Sequence, residues 1–267
     1  LALLLIGIGV VQWARLIMDD REVVETRHSS SSPDAVRTEV IQGLDDGIKE
    51  SGISRRRMIG TSLLAAVGLT LVAPLVTLLD AGPWPLPSKR RETIERTLWA
   101  DGTPQNPIRL VNDVTFQPIR AAAMEIGQLV NAEPANLQDL HGHAYQIEKA
   151  KAAIVIVKMD PNSVKVPPRR QDWHVGGIFA YSKICTHVGC PISLWEQQTH
   201  HLLCPCHQST FDLSDACKVV FGPAARVLPQ LPITVDNEGY LIARSDFTVP
   251  VGPSYPERDF YPEDKGE

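Results

Sequence analysis

With 267 residues, the chain has room for one sizeable domain with appendages, or for two small domains. Its formal net charge of −5 gives no electrostatic support for binding nucleic acid. Five cysteines are too few for a disulfide scaffold of this size, and four fall within Cys185–Cys206 with Cys217 close behind, which reads as a metal or redox site.

The opening run "LALLLIGIGVVQWARLIM", residues 1–18, is predicted to be the end of a membrane helix that starts earlier in a longer chain. The basic leader and small-residue cleavage site of a signal peptide are absent. Residues 19–57 are polar, mixed in sign and Ser-rich, and are expected to form a cytoplasmic loop. The loop ends in "SRRRMIG", Ser54–Gly60, read either as the basic flank of a membrane helix or as a twin-arginine export signal. Both readings keep the arginines inside and send the chain beyond Leu79 outside, although Lys89, Arg90 and Arg91 weaken the charge asymmetry. Met58–Leu79 is uncharged, and a helix of that length spans roughly 30 Å of hydrocarbon, so it is predicted to be a transmembrane anchor. Gly68 and Pro74 are tolerable inside such a helix.

Residues 80–104 carry alternating prolines, Pro83, Pro85 and Pro87, which favour an extended, semi-rigid tether. Trp84 and Trp99 in this stretch are expected at the membrane interface or against a partner. Over 105–249 the texture becomes β. "AAIVIVKM" and "GGIFAYSKIC" read as buried strands, and "LPQLPITVDNEGYLIAR" as two strands around a turn. Helical periodicity is hard to find after Asp101, apart from short pieces near "EPANLQDL". His141 and His143 are assigned to a solvated loop, His200 and His201 to a surface turn, and Cys217 to a free thiol. Residues 250–267 are expected to hug the surface as a polar tail.

The chemistry sits in "CTHVGC" (Cys185–Cys190) and "CPCHQS" (Cys204–Ser209). Zinc would accept two cysteines and two histidines but leaves Cys190 and Cys206 unexplained. "CPCH" has one residue too few between its cysteines for a c-type haem. A four-cysteine [2Fe–2S] cluster leaves both histidines idle. An arrangement with two cysteines on one iron and two histidines on the other takes Cys185 and His187 from one block and Cys204 and His207 from the second. One cysteine per block then remains.

The two blocks resemble those of the Rieske iron–sulfur subunit of cytochrome bc complexes, whose pattern is C-T-H-x-G-C and C-P-C-H-x-S. The resemblance implies a [2Fe–2S] cluster on Cys185, His187, Cys204 and His207, a disulfide between Cys190 and Cys206, and quinol meeting His207, with His187 also near the tip. Gly222, Pro223 and the rest of "GPAAR" resemble the family's loop over the cluster, with Ala225 where a proline is usual. Ser209 and Phe211 stand where high-potential members carry Ser and Tyr, so Phe211 suggests a lower potential suited to menaquinol. The implied fold is a membrane-anchored, all-β protein: an antiparallel β-sandwich with a small cluster-binding subdomain at about 180–226, preceded by transmembrane helices. The implied partners are a cytochrome b subunit, a c-type cytochrome subunit, menaquinol, the membrane and a terminal oxidase in a supercomplex. The setting is a bacterial cell membrane, crossed several times, with the domain on the outer face. The apolar start and "TVPVGPSYPERDF" are similar to the actinobacterial, multi-helix branch. A soluble Rieske ferredoxin or oxygenase domain is the alternative, but those lack the disulfide cysteines.

Overall fold

The computed structural model describes residues 2–18, 21, 32–52, 55–78, 88, 91–254 and 261. Three helices open the chain: α1 (Ala2–Leu16), α2 (Asp34–Ser51) and α3 (Arg57–Leu78), and none of them buries a residue against the rest. α3 is long and apolar enough to cross a membrane, with a mean hydropathy of 2.0 over its most apolar window, whereas α1 is apolar but shorter. The hydroxyls of Thr61, Thr70 and Thr77 donate back to the carbonyls of Arg57, Ala66 and Ala73. These three hydroxyls are thus satisfied within the helix, as hydrocarbon demands. The polar segment expected as a loop over 19–57 contains α2, which ends where Gly52 adopts a left-handed conformation at φ 61°.

The prolines of the expected tether and Trp84 lie outside the described residues. The folded head starts earlier than position 105. Thr97 caps a 3-10 turn at Leu98–Asp101, accepting from the Trp99 N–H at 3.3 Å. Trp99 is 1% exposed and its Nε1–H donates to the Ala152 carbonyl at 2.9 Å. Its expected place at a membrane interface is therefore corrected: the indole is a core anchor whose one polar atom is paired.

Strands β1 (Leu110–Asn112), β2 (Leu129–Pro134), β3 (Ile154–Lys158), β4 (Ile178–Ser182) and β9 (Gln230–Leu231) form one antiparallel sheet in the order β1-β2-β3-β4-β9. β5 (Leu194–Glu196), β6 (His201–Leu203), β7 (Thr210–Asp212) and β8 (Lys218–Phe221) form a second, four-stranded sheet. A hairpin of β10 (Ile233–Val235) and β11 (Leu241–Ala243) turns at Asp236, whose carboxylate accepts the N–H groups of Glu238 and Tyr240.

β3 and β4 lie between two cores. Ile154, Ile156, Ile178 and Ala180 face one core with Trp99, Leu110 and Leu137. Val155, Val157, Phe179 and Tyr181 face the other with Cys185, Leu202, Cys204 and Phe211. A strand buried on both faces must be apolar at every position, which is why these two runs are continuous and not alternating.

Two further expectations change. The antiparallel β head carries a helix just past "EPANLQDL", α4 (Gly142–Ala152), so His143 lies on a helix and not in the expected loop, with His141 just before it. α4 is held to β2 by an ion pair from Lys149 Nζ to the buried carboxylate of Glu133 at 3.1 Å. The tail also contributes to the core: Val249, Val251 and Tyr261 are buried.

Candidate metal centre

β4 runs into the first cysteine block, and the turn between β6 and β7 forms the second. The two loops close in the same way. Cys185 N–H donates to Cys190 O at 2.8 Å, and Gly189 N–H returns to Cys185 O at 3.0 Å. Four residues on from the other opening cysteine the pattern repeats: Cys204 N–H reaches Ser209 O at 2.8 Å, and Gln208 N–H reaches Cys204 O at 3.0 Å. Both returning residues are left-handed, Gly189 at φ 93° and Gln208 at φ 61°. Cys190 and Cys206 are bonded across the loops with their Cα atoms 6.6 Å apart, within the span a disulfide needs.

The donors are sorted by depth. Cys185 and Cys204 are 1% and 2% exposed, whereas His187 is half-buried and His207 exposed. The imidazoles stand nearly perpendicular, with ring centroids 4.8 Å apart. Burial pushes the Cys185 thiol up to about 11, opposed by the His187 N–H, which lies 3.5 Å from its sulfur. The Cys204 thiol adds to the rise, and the Ser209 hydroxyl works against it. A thiol held neutral this firmly becomes a thiolate when a metal cation supplies the missing positive charge. Burial, and after it the charge of His207, holds His187 below the usual imidazole value.

Two buried sulfurs and two outward imidazoles from a matched pair of loops make a donor set that fits a [2Fe–2S] cluster with mixed ligation. The Sγ atoms of Cys190, Cys204 and Cys206 lie within 4.8 Å of one another. Since two of these form the bridge, they do not compose a separate metal site; the bridge lies against a donor thiol.

The loop at Gly222–Arg226 packs onto the second block. At φ 81°, Gly222 has room for no side chain: a Cβ there would stand 2.6 Å from Ser209 Cα and 2.8 Å from Gln208 O. Ser209 is fully buried and its Oγ accepts from Ala224 N–H at 3.1 Å. Pro223 and Ala225 are exposed, and Phe211 is fully buried in the core beneath the loops.

The sequence reading missed a third segment. Ser254 donates its N–H and its hydroxyl to Thr186 O at 2.9 Å and 2.8 Å, between Cys185 and His187. Arg226 Nη2 donates to Gly252 O at 2.8 Å, and Thr186 Oγ1 donates to Arg226 O at 2.6 Å. First block, covering loop and tail therefore close a ring of hydrogen bonds. The Gly252–Pro253 pair was the one signal of a built turn there. Cys217 is a buried thiol, as expected. His200 occupies a turn while His201 lies on β6, 3.9 Å from Glu196.

These features define a Rieske-type iron–sulfur protein, one whose cluster loops are disulfide-clamped. Residues 129–232 match the Rieske [2Fe–2S] domain, and residues 1–115 match the QcrA subunit N-terminal region. The chain is 48% identical to the cytochrome bc1 complex Rieske iron–sulfur subunit of Streptomyces coelicolor, over 96% of this chain and 69% of that protein. It is 52% identical to the Streptomyces lividans subunit of the same name, over 67% of this chain and 98% of that one. The Corynebacterium diphtheriae subunit is 35% identical, over 97% of this chain and 74% of its own length. The chain belongs to the family of cytochrome bc1 complex Rieske iron–sulfur subunits.

Proposed function

We propose that this chain is the redox subunit of a quinol:cytochrome c oxidoreductase, taking one electron and one proton from quinol and passing the electron to a c-type haem. The observation that carries the reading is the depth order at the tip: sulfur donors inside, two imidazoles outside. Cys185, His187, Cys204 and His207 would hold the [2Fe–2S] cluster, which when bound supplies one-electron chemistry at a potential raised by its neutral histidine donors. With one ring nitrogen of each imidazole given to the cluster, the exposed His207 would keep its other nitrogen for a quinol hydroxyl to reach and leave a proton on. His187, its ring centroid 4.8 Å from that of His207, would offer a second such nitrogen. Val188 and Pro205, both exposed on the same two loops, frame the histidines with apolar surface suited to a quinone ring. The buried Ser209 hydroxyl favours the thiolate of Cys185, against the effect of burial.

In this role α3 anchors the chain in a bacterial cell membrane, and the apolar α1 is a further membrane segment. The head lies on the outer face, where it takes its electron at cytochrome b and passes it to the c-type haem. Menaquinol is the donor, supported by Phe211, which lacks the hydroxyl that a tyrosine would aim at the cluster.

The test is a redox titration of the purified protein by EPR across pH. The midpoint should be flat in acid and fall by about 59 mV per pH unit once a histidine of the oxidised form titrates. A pH-independent midpoint sinks the proton-coupled role, and a colourless, EPR-silent protein sinks the cluster.

A further inference from the structure

Of the described helices, α2 has a pattern that neither the head nor a membrane crossing explains. Val36, Val40, Leu44 and Ile48 recur at every fourth position with Ile41 alongside, and all five are between 46% and 66% exposed. At about 100° per residue these side chains share one side of the helix, interrupted only by Arg37, Gly47 and Ser51. Asp34, Glu39, Asp45, Asp46 and Glu50 fall on the other side, where Lys49 pairs with Asp45 and Asp46. α2 is therefore amphipathic, with an apolar stripe that nothing in the described chain covers.

Its place in the chain says what covers it. α2 ends at Ser51 and α3 begins at Arg57, six Cα steps later, so the two helix ends lie at most about 22 Å apart. The Arg55 N–H bonds back to Gly52 O at 3.1 Å, which shortens that reach. Arg55, Arg56 and Arg57 thus sit at the mouth of the membrane-crossing helix, at the depth of lipid headgroups. A helix leashed this closely to the bilayer has the lipid surface within reach of its apolar stripe throughout.

We infer that α2 lies flat in the membrane–water interface, its Val36–Val40–Leu44–Ile48 stripe sunk among the lipid chains and its acidic side facing water. Arg37, within the stripe, extends its guanidinium back to the headgroups. This rests on reading α3 as a membrane span.

The test uses the full chain with its cluster, reconstituted in phosphatidylethanolamine–phosphatidylglycerol vesicles. Leu44→Cys, Asp46→Cys and Leu69→Cys variants are each labelled with an environment-sensitive fluorophore under non-reducing conditions, since Cys185, Cys204 and Cys217 are buried and Cys190 is bonded to Cys206. The label at Leu44 should be blue-shifted and quenched at least twofold by lipids carrying a spin label near the headgroup, while the label at Asp46 is unaffected. At Leu69 the label should be quenched by lipids spin-labelled deep in the chain. Equal, water-like emission at Leu44 and Asp46 overturns the inference. So does a blue-shifted Leu44 label that lipid quenchers do not touch, which assigns the stripe to a protein. If Leu69 also escapes quenching, the reading of α3 fails as well, so the two failures are distinguishable.

Discussion

Ser209 shows how much a single side chain carries at this site. Its hydroxyl accepts from Ala224 N–H at 3.1 Å and weighs against the raised pKa of Cys185, so it serves the covering loop and a sulfur donor together. Hydrogen bonds to a thiolate stabilise the electron-rich, reduced state more than the oxidised one. Ser209→Ala should therefore lower the midpoint potential by about 40 mV, taking about 1 kcal/mol as the difference between the two states. Redox titration of the variant checks this, and an unchanged midpoint would remove Ser209 from the tuning. Phe211→Tyr adds a donor two residues further on, on β7, and should shift the midpoint upward by a similar amount; no rise would count against the menaquinol reading. Gly222 is constrained differently. Gly222→Ala would combine a left-handed conformation with a Cβ placed 2.6 Å from Ser209 Cα. Strain of about 1–3 kcal/mol is expected, read as a lowered unfolding temperature and a reduced iron content at purification.

The paired loops depend on one covalent tie. Cys190 and Cys206 are 16 residues apart, a separation at which a disulfide restricts the unfolded chain by about 3 kcal/mol. The Cys190→Ser, Cys206→Ser double variant should lose about that much in denaturant unfolding, and its visible absorbance should bleach before the fold melts. Simultaneous loss of both signals would mean that the bridge does not act locally. Both loops and the strands beside them were legible in the sequence, because four donors in two short blocks and two uninterrupted apolar runs are local patterns. α4 was not legible: "GHAYQIEKAKA" opens with glycine and histidine, buries only Ala152, and is held by Lys149 to a carboxylate on another strand. The tail was hidden for the same reason. Tyr261 looks like one aromatic in a polar run, yet its hydroxyl accepts from Gln230 N–H at 2.8 Å and its ring lies under Arg170 and against Trp173. Tyr261→Phe keeps the ring but strands a buried N–H, and should cost about 1–3 kcal/mol in thermal unfolding. A neutral result would show that the amide finds another acceptor.

The head closes on itself where it begins and ends. Thr97, at its entry, donates its N–H at 3.0 Å and its hydroxyl at 2.6 Å to the carboxylate of Asp246, 149 residues later. One side chain thus ties the entry of the domain to the segment after β11 that leads into the tail bonded to the first metal loop. Burial raises the Asp246 carboxyl above its ordinary value of 3.8, and the hydrogen bonds from Thr97 and Phe247 only partly offset the rise. A carboxyl raised on folding binds its proton more tightly in the native state than in the unfolded chain. Its contribution to stability is therefore complete below pH 3.8 and is lost as pH rises through the raised value. Asp246→Asn keeps an oxygen for the Thr97 N–H and carries no charge at any pH, so it should not show this loss. Thermal unfolding of both proteins between acid and neutral pH should show the wild type losing ground to the variant as pH rises. Every other titrating group is common to the pair and cancels in the difference. A gap that stays constant across that range would mean that Asp246 is as easily ionised in the native head as in the open chain, and that its tie to Thr97 holds without regard to pH.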